Sequence, residues 1–251
     1  MNRIQLRLGR PLLAGSARPW AGVVVICSVL LVAVLGVLFA HHTKAGSFDK
    51  SVDAPVIAMF SNHGNLAYNL AFPGTLRPAV VLCGIVVVIC LLTGRLNGVV
   101  LAVAAVPVAA GLDDGLIKHL VGRTYFGQLT YPSGHTTAAF AIVTTIAIVF
   151  LIPPQPYGAR LLRVLIAEAG FIVGATVAIA VIALQWHTFT DTLAGAAVGV
   201  GAVCALALIL DLFQRPPAPP GYCRLSSGND HITDLEATVA EEKWLKGNAA
   251  D

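Results

Sequence analysis

The chain has 251 residues, 57% of them hydrophobic and only 12% charged, at a mean hydropathy of +0.79. A soluble domain carries roughly 25% charged residues, so this composition excludes a chain whose whole surface meets water. The formal net charge is +3, and no basic tract interleaved with aromatics is present, which argues against nucleic acid as a partner.

The first apolar run, residues 21–40, follows Arg3, Arg7, Arg10 and Arg18. A secretory signal starts in a similar way, but its apolar core is about 7–15 residues long. This run is long enough to span a bilayer and is read as a retained helix. Residues 41–78 form a loop of mixed polarity, in which Val52, Val56, Met59 and Phe60 suggest a short amphipathic helix lying at the interface. Further apolar runs cover residues 79–92, 98–112, 136–152, 162–184 and 193–213. Backbone in hydrocarbon must satisfy its own hydrogen bonds, so these runs are helices. The expectation is an all-α polytopic membrane bundle of six transmembrane helices over residues 21–213. It is flanked by an N-terminal tail, 1–20, and a polar C-terminal tail, 214–251, that is partly disordered or holds a short helix near 234–245. Four of the five cysteines, Cys27, Cys83, Cys90 and Cys204, lie in apolar runs and none forms a C-x-x-C. They read as small hydrophobes.

Basic residues set the orientation. With six spans, the N-terminal arginines, Arg95, Arg160, Arg163, Arg215, Arg224, Lys243 and Lys246 share one side. The positive-inside rule makes that side cytoplasmic, with both termini on it. Lys44, Lys50, Arg77, Lys118 and Arg123 fall on the outer side, as do two loops rich in reactive side chains.

The first of these loops contains Lys118, Gly122, Arg123 and then Tyr131-Pro132-Ser133-Gly134-His135; the second contains His187 and Asp191. Pro132 and Gly134 set a tight turn, Ser133 can cap the helix that follows, and the freed amides suit an anion. The spacing of His187 and Asp191 lets the carboxylate accept from one imidazole nitrogen and leave the other as a nucleophile. Lys118 and Arg123 can reach a phosphate from one side, Arg123 through a bidentate fork. Taken singly, each piece has a plainer reading: a helix-start turn, a structural His–Asp pair, two headgroup anchors. Together, on one predicted face, they point to the handling of a phosphate ester.

In these residues the chain resembles the type-2 phosphatidic acid phosphatase superfamily, whose soluble relatives include vanadium haloperoxidases and bacterial acid phosphatases; the likeness is to its bacterial membrane branch. Pro132-Ser133-Gly134-His135 matches the second family motif, and His187 with Asp191 the third. The resemblance implies a lipid phosphatase, without metal or cofactor, acting on phosphatidic acid, phosphatidylglycerol phosphate or a polyprenyl phosphate or diphosphate. It implies that His187 attacks phosphorus to form a phosphohistidine, that Asp191 orients His187, and that His135 protonates the leaving group. Lys118, Arg123 and the amides of Ser133 and Gly134 would hold the equatorial oxygens. It places the protein in a bacterial inner membrane, with membrane lipids as neighbours and the site at the outer face. The match is incomplete. The first motif has Arg-Pro where this chain has Tyr125-Phe126, and the third has Ser-Arg where it has Ala180-Val181. Arg77 and His119 are candidate replacements for the missing cation.

Among the remaining polar residues, Asp114, four residues before Lys118, reads equally as its ion-pair partner or as a solvated loop residue. Glu168 can reach the interface or pair with Arg160 or Arg163. His41, His42 and His63 read as interfacial, and Trp186 as an interface anchor or a pocket wall. Two rival functions remain open: a phosphotransferase, and a non-catalytic lipid-binding or assembly protein of the same fold.

Overall fold

The computed structural model describes residues 11–151 and 160–213. The expected tail elements in residues 1–10 and 214–251 lie outside the described residues, as do the side chains of Arg160 and Arg163.

The helices are α1 (Arg18–Phe39), α2 (Ser47–Phe60), α3 (Gly64–Ala71), α4 (Leu76–Leu92), α5 (Leu96–Ala110), α6 (Lys118–Val121), α7 (Gly134–Leu151), α8 (Arg160–Ala183) and α9 (Phe189–Leu212). Pro19 opens α1, where its missing N–H leaves no bond unmade. The segment Gly111–Ile117 between α5 and α6 winds as a π-helix. Four helical segments are long and apolar enough to cross a membrane: Gly15–Phe39, Leu96–Val121, Val164–Ala183 and Phe189–Leu212. A fifth is the pair Gly64–Gly74 and Leu76–Leu92, bent by 40° at Thr75, directly after the turn Phe72-Pro73-Gly74. Gly134–Phe150 is apolar but shorter. Among the described residues the count by length and composition is therefore four or five, and the expected sixth span is not confirmed.

α7 and α9 form the central pair, with α1 against α9, α8 against α7, and α5 against both. The close approach of α7 and α9 depends on glycine. A Cβ at Gly195 would lie 2.5 Å from the Ser133 carbonyl oxygen, and one at Gly199 would lie 2.5 Å from that of Thr137. Gly195→Ala should push α9 away from the turn at Ser133. We expect a loss of about 1–3 kcal/mol of stability and a drop in activity, measurable as a lower Tm and kcat. A wild-type Tm would mean that the two helices are not held this tightly.

One end of the bundle is closed by Asp211, which accepts from the amides of Leu12 (2.7 Å) and Leu13 (3.1 Å) and lies 3.4 Å from Arg18. At the same end Arg95 donates to the Val149 carbonyl. The opposite end gathers the α5–α7 and α8–α9 connections, and the motif residues stand there.

One feature departs from the sequence reading. A two-stranded antiparallel hairpin, β1 (Thr124–Tyr125) and β2 (Gln128–Leu129), interrupts the all-α pattern. Its tip, Phe126-Gly127, has positive φ at both residues, the geometry that matches the twist of tightly paired strands. α2, expected as an amphipathic helix at the interface, leaves Met59 64% exposed and buries Asp49 and Asp53 on its other side. Those acids are drawn inward by the start of α9.

Candidate active site

The site is built from the starts of α7 and α9 and from the π-helical turn before α6. The Ser133 amide donates to the Asp191 carbonyl oxygen at 3.0 Å, tying the two helix starts together. The Ser133 carbonyl accepts the first helical bond of α7 from Thr137, at 2.9 Å, and its hydroxyl meets that of Thr136 at 3.1 Å. Ser133 therefore caps through its backbone, with its side chain turned to a neighbouring threonine. Thr137 donates to the carboxylate of Asp113, which is wholly buried in the π-helical turn, and to the Gly195 carbonyl at 3.1 Å. A π-helical turn shifts the register of the residues after it. Here Lys118 comes so close to the motif turn that its Nζ would be 3.6 Å from a Cβ on Gly134. Lys118 pairs with Asp114, one of the two readings open for that residue, and also with Asp113 at 3.4 Å.

Gly122, at φ +61°, ends α6, and a Cβ there would meet the His41 ring at 2.8 Å. The reversal turns Arg123 into the interior, where it is 1% exposed. Its Nη1 donates to Thr190 Oγ1 (2.7 Å) and Asp191 Oδ1 (2.8 Å), and its Nη2 to Asp49 Oδ2 (2.6 Å). The guanidinium also stacks on the Phe39 ring, 4.5 Å from its centroid. The sequence reading gives Arg123 a phosphate; in the structure its side chain meets protein partners. Its fork is engaged by two buried carboxylates, because an unpaired carboxylate in a dry interior is far less stable than a bridged one.

The acid helix that meets Arg123 also caps α9. Asp49 accepts from the Thr190 amide (3.1 Å) and hydroxyl (3.0 Å), and Asp53 from the Phe189 amide (3.1 Å). Asp191 accepts from the Thr188 amide at 3.1 Å, within a capping box completed by the Thr188 side chain. Three carboxylates thus satisfy the otherwise orphaned amides at the start of α9. Burial, followed by the charge of Asp49, pushes the Asp53 carboxyl up to about 6. Asp49 and Asp53 were missed in the sequence. Their spacing, i and i+4 in an otherwise interfacial helix, was the available signal.

His187 Nδ1 lies 2.9 Å from the Thr130 carbonyl oxygen and 4.0 Å from Asp191 Oδ2. A carbonyl can only accept, so Nδ1 carries the proton and Nε2 is left with a free lone pair. The orienting partner in contact with His187 is thus a backbone carbonyl, and Asp191 stands one shell behind it. Burial first, then the charges of Lys118 and His135, bring the His187 pKa down to about 3. An unfolded histidine takes its proton near 6.5. Below that value the unfolded chain binds the proton first, so this residue's contribution to stability falls as pH drops from about 6.5 to 3.

His135 borders a cavity of about 280 Å³ with Tyr68, Ala71, Phe72, Thr75 and Trp186. Its ring centroid is 5.3 Å from that of Trp186, which serves here as a wall. The proposed replacement cations do not come in: Arg77 and His119 are exposed and form no ion pair among the described residues. Val181 is fully buried, and its carbonyl accepts the Trp186 amide at 3.0 Å, so the position that departs from the motif is a packed turn.

Comparison with known proteins places this arrangement. The chain is 27% identical over 122 residues, 48% of its length, to a Drosophila melanogaster protein named "Putative phosphatidate phosphatase". That match spans 31% of the fly protein. Among solved structures, it superposes on a transmembrane PAP2 type phosphatidylglycerolphosphate phosphatase from Bacillus subtilis. The TM-score is 0.58 at 14% identity, covering 76% of this chain and 98% of that one, a likeness of fold. The profile of the PAP2 superfamily matches residues 31–215, most of the helical bundle. The chain is an integral membrane protein that belongs to the PAP2 superfamily.

Proposed function

We propose that the protein is a metal-independent phosphatase that hydrolyses a phosphate ester of a lipid alcohol through a phosphohistidine. The observation that carries this reading is His187: a buried, neutral imidazole whose Nδ1 is held by the Thr130 carbonyl, which leaves Nε2 unprotonated. Lys118 and the Gly134 amide at the start of α7 would hold the phosphoryl oxygens, whereas the Ser133 amide, expected to share that role, is already given to the Asp191 carbonyl. His135, beside the aromatic cavity, supplies the proton to the leaving alcohol and then takes one from the attacking water. Asp191 acts behind His187 by fixing the start of α9. Phosphatidic acid, phosphatidylglycerol phosphate and polyprenyl phosphates or diphosphates are the candidate substrates. We place the site at the outer face of a bacterial inner membrane, with both termini cytoplasmic.

The scarcity of free cations favours one second reading, a lipid-binding protein that retains the fold without catalysis. Both are tested by phosphate release from the purified protein in detergent, across this lipid panel and with a chelator present. Metal-free release from at least one lipid is expected. Transfer of phosphate to an added alcohol in place of water would identify a phosphotransferase, and no turnover at all would leave the binding role.

A further inference from the structure

We infer that the cavity beside His135 receives the alcohol part of the substrate, and that the substrate is a monophosphate whose alcohol is uncharged next to the ester oxygen. The inference rests on the phosphatase reading and narrows it. In that reaction a bond forms between His187 Nε2 and phosphorus while the ester P–O bond breaks. The departing electron pair goes to the alcohol oxygen, which takes its proton from His135. Water then attacks phosphorus and passes a proton to His135; the P–N bond breaks, its electron pair returns to His187 Nε2, and orthophosphate is released. The alcohol must therefore lie on the His135 side of phosphorus.

What occupies that side is aromatic. Tyr68, Phe72 and Trp186 line the cavity together with Ala71, Thr75 and His135, and among the described residues no lysine, arginine or carboxylate lines it. Tyr68 and Trp186 meet edge to face, 6.1 Å apart. Phe72 and Thr75 place the cavity at the bend between α3 and α4. Gly74 lets that bend press on the motif turn, since a Cβ there would be 2.7 Å from the His135 carbonyl oxygen. A second phosphate, or the phosphodiester of phosphatidylglycerol phosphate, would be desolvated here against aromatic faces with no counter-ion. An aliphatic or prenyl chain would instead bury apolar surface.

The charges around the phosphoryl position lead independently to the same class. Arg123 is committed to Asp49 and Asp191, and Lys118 faces two carboxylates, Asp113 and Asp114. The added negative charge of a diphosphate finds no partner in this set.

The experiment compares farnesyl phosphate with farnesyl diphosphate, the same alcohol carrying one or two phosphates, alongside phosphatidic acid and phosphatidylglycerol phosphate. We expect kcat/KM for the monophosphate to exceed that for the diphosphate at least tenfold. Trp186→Ala should raise KM for farnesyl phosphate about tenfold, with a smaller change in kcat. Phe72→Lys, which places a cation in the cavity, should shift the monophosphate-to-diphosphate ratio toward the diphosphate by a similar factor. Because that ratio is taken within one preparation, partial loss of folded protein cancels. Equal or faster cleavage of the diphosphate by the wild-type protein, or a ratio that ignores Phe72→Lys, would overturn the inference and leave the phosphatase reading standing. Release of phosphate from none of the four would overturn both.

Discussion

The His187→Ala protein is expected to release phosphate at least about a thousandfold more slowly than wild type, because removing a nucleophile removes the step and not merely a contact. The structural cost of the substitution is small. It frees the Thr130 carbonyl and opens a small space at the start of α9, so Tm should fall by only a few degrees. Loss of activity in a folded protein therefore separates chemistry from packing. The buried ring adds a pH signature. With a pKa of about 3, His187 in the free protein is neutral at pH 5, where an ordinary histidine is mostly protonated. Ring nitrogen shifts should show the neutral form at that pH. Quenching turnover in base should trap phosphate on the wild-type chain and none on His187→Ala. A variant that keeps a tenth of the wild-type rate, or a ring already protonated at pH 5, would remove His187 from the role of nucleophile.

The parts of the site legible in the sequence are those that act through short spacing. The turn Pro132-Ser133-Gly134-His135 and the pair His187 and Asp191 each fall within one turn of chain, and their apolar flanks announce the helices that carry them. Long apolar runs likewise made the bundle readable, since the bilayer leaves the backbone few alternatives. What escaped depends on partners distant in sequence. Arg123 is a plausible phosphate ligand until Asp49, 74 residues earlier, is seen to take half of its fork. The residue holding His187 is Thr130, acting through a backbone carbonyl that any side chain would leave in place. The reach of Lys118 toward Gly134 follows from a π-helical turn that no periodicity in residues 98–112 announces. The hairpin at Phe126-Gly127 is too short to produce an alternating pattern. Even so, it matters for the site. Its closing bond, from the Thr130 amide to the Arg123 carbonyl at 3.1 Å, sets where the Thr130 carbonyl points.

Arg123 therefore joins two structures at once. Its backbone holds the strand that presents Thr130 to His187, and its side chain bridges Asp49 on α2 to Asp191 on α9. Arg123→Ala should be the most destabilising single change in the site. It leaves two buried carboxylates without a cation, a loss of about 3–5 kcal/mol. Asp49→Asn retains size and one acceptor but not the charge, so it should lower kcat about tenfold or more while folding persists. Because Asp49 acts through α9 and does not touch phosphate, inhibition by orthophosphate should remain at its wild-type level in this variant. Lys118→Ala, by contrast, should weaken that inhibition. A double-mutant cycle over Arg123→Met and Asp49→Leu reads the bridge itself, and a coupling of about 1–3 kcal/mol is expected for side chains in direct contact within one network. Additive effects, or weakened orthophosphate inhibition in Arg123→Lys with a normal response in Asp49→Asn, would return Arg123 to the phosphate. The bridge would then be only a resting-state contact. If the coupling is found, α2 is more than an interfacial helix, because its position determines whether the histidine at the start of α9 stands where phosphorus can be reached.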